Sequence, residues 1–61
     1  MLLAKGLRVK VRADSGLSMA NKLGTVMGEP QKDREISVMV QLDGYKNRVK
    51  LGKSFLEEVP K

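Results

Sequence analysis

The sequence predicts an all-β fold: a small five-stranded barrel with a one-turn helix before the last strand. Three observations carry this. Aliphatic residues alternate with charged or polar ones along Leu7–Arg12, Ile36–Leu42 and Tyr45–Leu51, the period of half-buried strands. No long helix is readable between them. Short strands with one apolar face each must curl around a common core to bury it.

The elements follow in order. Met1 to Ala4 is the longest apolar run, and residues 1–5 read either as a weakly ordered terminus or as the start of the first strand. Leu7, Val9 and Val11 then face inward while Arg8, Lys10 and Arg12 face outward. Ala13 to Asn21 is rich in small polar residues and reads as a long loop, with Leu17 and Met19 folding back onto the barrel edge. Leu23 to Met27 is a second strand, where Gly24 marks a bulge, a bend or a close backbone approach. Gly28 to Arg34 is a polar connector broken by Pro30.

Ile36, Val38, Val40 and Leu42 alternate with Ser37, Met39 and Gln41 in the clearest strand. Asp43-Gly44 predicts a type I′ hairpin, with the next strand resuming at Tyr45. Gly52 ends that strand. Ser54 and Glu57 have capping-box spacing, which predicts a single helical turn. Glu57 to Val59 closes the barrel, and Pro60, which has no N–H to donate, ends the ladder. The expected core is Leu7, Val9, Val11, Val26, Ile36, Val38, Val40, Leu42, Val49, Phe55, Leu56 and Val59.

Length and composition bound the function. Sixty-one residues make one domain, 1–61. Such a small domain buries only about 60% of its unfolded surface, so self-association into a weak homo-oligomer has a stability motive. The chain has no Cys and no His, which excludes disulfides, thiolate or imidazole metal sites, and Cys- or His-based catalysis. Phosphate-cradling glycine loops are absent and the acids are scattered. The reading is a non-enzymatic module without catalytic residues, metal or cofactor. The apolar run is too short for a membrane span or a secretory signal, so no membrane insertion and a cytoplasmic location are expected.

The net charge of +5 is unevenly placed. Residues 1–12 carry Lys5, Arg8, Lys10 and Arg12 with no acid, and residues 45–53 carry Lys46, Arg48, Lys50 and Lys53 with no acid. The middle of the chain is acidic. Two one-sided basic strands point to an acidic partner. The plain alternative is a solvated strand face on which lysines prevent edge pairing.

The order of elements, with a helical turn before the last strand, resembles the SH3-like barrel superfamily. Gly6-Leu-Arg-Val-Lys-Val-Arg, Ser15-Gly16 and Leu23-Gly-Thr-Val26 resemble a KOW-type opening, with Ala20 or Asn21 in the place of its mid-loop glycine. A longer stretch resembles the PsaE family of photosystem I. It comprises Val9-Lys-Val-Arg, Leu23-Gly-Thr-Val, Val38-Met-Val-Gln-Leu-Asp43, Tyr45 and Phe55-Leu-Glu-Glu-Val59. That family, with the ferredoxin–thioredoxin reductase variable chain, implies a cofactor-free barrel that docks protein partners in photosynthetic electron transfer. SH3-like barrels can also build an active site across a symmetric pore, which the lack of His and Cys argues against.

The candidate partner-binding residues are Arg8, Lys10, Arg12, Tyr45, Lys46, Arg48 and Lys50. Tyr45 reads either as a cross-strand packing residue or as a contact anchor. The first and fourth strands are not neighbours in an SH3-like barrel, so the two basic groups need not form one patch. An acidic protein surface is the expected partner. The alternative is a nucleic-acid backbone, bound through Lys and Arg alone, because Tyr45 and Phe55 are the only aromatics on which bases could stack.

Overall fold

The computed structural model describes residues 2–32 and 34–59. Six strands form a single antiparallel sheet: β1 (Arg8–Val11), β2 (Leu23–Val26), β3 (Gln31–Lys32), β4 (Ile36–Leu42), β5 (Val49–Gly52) and β6 (Leu56–Glu58). A 3-10 turn, Lys53–Phe55, precedes the last strand, and no other helix occurs among the described residues. The all-β class and the helical turn before the closing strand are therefore as the sequence predicts. The strand count is six rather than five.

The sixth strand is β3, inside the segment that reads as a polar connector. It pairs Gln31 with Ser37 and Lys32 with Ile36. β5 occupies the other edge of β4, matching Ser37 with Gly52 and Val40 with Val49. β3 therefore continues the edge that β2 begins at Val26 opposite Val40. Met27 to Pro30 bulge out between the two, and Met27 N–H still reaches Met39 C=O at 2.9 Å. Pro30 stands in this bulge, where its missing N–H breaks no ladder bond.

The sheet runs β5–β4–β2–β1–β6, so the last strand lies beside the first. Lys10 sits opposite Glu57 and Val11 opposite Leu56. Inside lie Leu3, Val9, Val11, Val26, Val38, Val40, Leu42, Leu51 and Leu56. Leu7, Leu17, Met19, Ile36 and Val49 pack against this core while half-buried. Gly24 is a close-approach glycine: a Cβ there would stand 2.8 Å from the Gln41 carbonyl oxygen and from Val40 Cγ1.

Several expectations need correcting. Leu3 belongs to the core at 8% exposure, yet β1 begins only at Arg8, so residues 2–5 are a packed lead-in and not strand. Leu51 is also buried, whereas Phe55 and Val59 are half-buried and outside the core cluster. At the hairpin only Gly44 has positive φ (+81°), so the turn is not type I′. Tyr45 N–H closes it onto Leu42 C=O at 3.1 Å, and pairing resumes at Val49 rather than Tyr45. The 3-10 turn has Gly52 as its N-cap and no side-chain cap, so Ser54 and Glu57 form no capping box. The closing strand starts at Leu56, and the expected break at Pro60 lies outside the described residues. Asn21, at the end of the long loop, has φ +69°, a left-handed position that Asn tolerates better than most residues.

Candidate docking surface

The outer face of the sheet is built by the residues that alternate with the core. On β1 these are Arg8 and Lys10, with Arg12 following, and each meets a carboxylate. Arg8 binds Asp43 through two guanidinium nitrogens, at 2.7 and 3.1 Å, and also donates to Thr25 Oγ1 at 2.8 Å. Lys10 Nζ lies 3.5 Å from Glu57 on the neighbouring β6. Arg12 binds Asp14 at 3.0 and 3.1 Å. The hydrogen bonds from Arg8 and Arg12 hold the Asp43 and Asp14 carboxyls below the usual aspartate range, with partial desolvation opposing.

This changes the electrostatics of the first basic block. Read along the chain it is acid-free. In space it is matched cation by carboxylate from Arg8 to Arg12. The field it projects is that of three short dipoles rather than three unscreened charges.

The second block is different. Only Lys50 stands on β5, opposite Met39 of β4. Lys46 and Arg48 lie in the loop that joins Tyr45 to Val49, not on a strand face. All three are exposed, and none makes a salt bridge among the described residues. The Gln41 side chain fixes the base of this loop, its Nε2 donating to the Tyr45 carbonyl at 2.6 Å and to that of Leu42 at 3.3 Å. Tyr45 is 39% exposed and does not join the core cluster, so its ring is presented beside the loop cations.

Below Lys50 the outer face of β4 opens into a cleft of about 190 Å³. Its lining is Glu29, Gln31, Ser37, Val38, Met39 and Lys50. Met39, at 38% exposure, supplies an apolar side between Glu29 and Lys50. Two strands, β2 and β4, separate β1 from β5, so the two basic groups do not adjoin within the sheet.

Sequence reasoning locates the cations but misses their partners. Asp14 is two residues from Arg12 and within reach of local reading. Asp43 and Glu57 come to β1 only through the sheet order, and no local signal marks them. No cluster of three or more acidic metal-ligand candidates exists among the described residues. No helix among them is long and apolar enough to cross a membrane. Comparison with protein-family models, curated proteins and solved structures finds no match.

Proposed function

We propose that this chain is a non-enzymatic docking module that engages an acidic protein surface through Tyr45, Lys46, Arg48 and Lys50. One observation carries the reading: these cations project without a carboxylate partner among the described residues, while Arg8, Lys10 and Arg12 each have one. A partner carboxylate can pair with Lys46, Arg48 or Lys50 without breaking an existing ion pair. Arg8 and Arg12 would first have to release Asp43 and Asp14. Tyr45 adds a large, partly apolar contact beside the charges, the type of residue on which interfaces concentrate binding energy. The arrangement of a long first loop, a meander through β4 and β5, a 3-10 turn and a last strand beside the first is the order expected of an SH3-like barrel. The resemblance to the PsaE family supports seeking the acidic partner among the proteins of photosynthetic electron transfer.

The test is a paired set of variants. Lys46→Glu, Arg48→Glu and Lys50→Glu together abolish capture of acidic proteins by the tagged chain, with the circular dichroism spectrum unchanged. Arg8→Gln, Lys10→Gln and Arg12→Gln together leave capture largely intact. Capture should weaken as salt rises past physiological strength, where the screening length falls below about 8 Å. Equal loss in both sets would remove the distinction between the blocks. A gel shift with labelled RNA or duplex DNA at about 50 mM salt, steeply lost at higher salt, would instead support backbone binding to nucleic acid.

A further inference from the structure

The register of the sheet shows which backbone groups of β5 remain available. In an antiparallel ladder the N–H and C=O of one residue point to the same side, and successive residues point to opposite sides. Met39 C=O accepts from Met27, and Asp43 N–H donates to Leu23 C=O. Odd-numbered residues of β4 therefore face β2, and Val38 and Val40 face β5. Their partners Leu51 and Val49 must face β4 in return. Lys50 consequently directs its N–H and C=O away from the sheet. No strand among the described residues pairs with that edge, and no backbone or side-chain hydrogen bond among them reaches those two groups.

We propose that the open edge of β5 receives an extended acidic segment of the partner as an added strand. Main-chain hydrogen bonds to Lys50 hold the segment, and its carboxylates meet Arg48 and Lys50. The inference rests on the docking reading above and specifies how the partner is held. Addition of a strand to an exposed edge is a general mode of peptide recognition, in which the ladder supplies affinity and alternate side chains supply selectivity. Charge decides the occupant. A second copy pairing edge to edge through β5 would set Arg48 and Lys50 against their own like charges, which is destabilising across a strand pair. The open edge of β6 carries Glu57 and Glu58 and repels the same acidic segment. β3 is only two residues long. At the far end of β5, Glu35 covers Gly52, which confines the segment to the stretch around Arg48 and Lys50.

The probe is a capped hexapeptide of alternating glutamate and valine, added at low salt to the isotope-labelled chain. Alternation places its three carboxylates on one face, as the outward side chains of β5 require. The expected result is slowed hydrogen exchange of the Lys50 amide by about tenfold or more, while Val49 and Leu51, already bonded to β4, change little. A control hexapeptide of alternating lysine and valine leaves Lys50 unprotected. Lys50→Gln keeps the amide and weakens binding. Lys50→Pro removes the outward donor without removing a β4 bond and abolishes binding. Should that variant fail to fold, the exchange measurement on the unaltered chain decides. Charge-dependent binding without protection of the Lys50 amide overturns the added strand and leaves docking standing. Failure of the hexapeptide alongside failure of acidic-protein capture overturns both.

Discussion

Arg8 and Asp43 lie 35 residues apart, and two nitrogens of the arginine bind the two oxygens of the aspartate. The pair ties β1 to the turn that follows β4. The bond from Arg8 is the main influence lowering the Asp43 pKa. A depressed folded-state pKa means the pair favours folding above the unfolded aspartate value. That contribution fades as pH falls through the folded value. An NMR titration should find the Asp43 midpoint below the ordinary aspartate value, and likewise Asp14, which Arg12 binds. Arg8→Gln should return Asp43 toward the ordinary value and leave Asp14 where it is. An Asp43 midpoint indifferent to that substitution would mean the contact does not form in solution.

Gly24 has no room for a side chain. The obstacles are the backbone oxygen of Gln41 and the branched side chain of Val40, neither of which can swing away. Gly24→Ala should therefore push β2 from β4 and cost about 1–3 kcal/mol, the usual range for overpacking a tight contact. Urea unfolding measures this directly, and a midpoint unchanged from the parent chain would contradict the close approach.

Gly52 gives a contrasting case. A Cβ there would overlap the Glu35 carboxylate, which also accepts a hydrogen bond from Ser54 Oγ at 3.2 Å. The backbone at Gly52 (φ −71°, ψ 151°) suits any residue, so the conflict is with one flexible side chain only. Gly52→Ala should cost little, and in a Glu35→Ala background it should stabilise by about 0.4–1 kcal/mol by restricting the unfolded chain. The four-member mutant cycle reads the coupling. Strictly additive effects would show that Glu35 does not sit over Gly52.

Leu3 tests the lead-in. It is buried with the core although it precedes the first strand by several residues. Leu3→Ala should destabilise by about 2 kcal/mol, toward the lower end for core leucines because its segment can partly collapse into the gap. A loss near zero would make the lead-in an ornament of the barrel rather than part of its core.

The strands with strict alternation are legible because burial of one face is written in period two. β4 follows Ile36 to Leu42 as read, and Val9 and Val11 are buried as read. β3 is illegible because Gln31 and Lys32 are both exposed, and two backbone pairings need no apolar pattern. Leu3 lacks the alternation that marks a strand. Ser54 and Glu57 have the spacing of a cap, yet tertiary partners take both side chains: Glu35 accepts from Ser54, and Lys10 pairs with Glu57. The site is legible as a list of cations and illegible as a field, because neutralisation of Arg8 and Lys10 depends on strands distant in sequence.

The adjacency of β1 and β6 also sets a temporal order. β4 meets β3 and β5 across short connections, so these hairpins close at small entropic cost. β1 can pair with β6 only after nearly the whole chain has been drawn together. Such long-range closure slows folding of β-barrels relative to helical domains of equal size. The seam between Lys10 and Glu57 is thus the late step of assembly. Substitutions there should accelerate unfolding far more than they retard refolding.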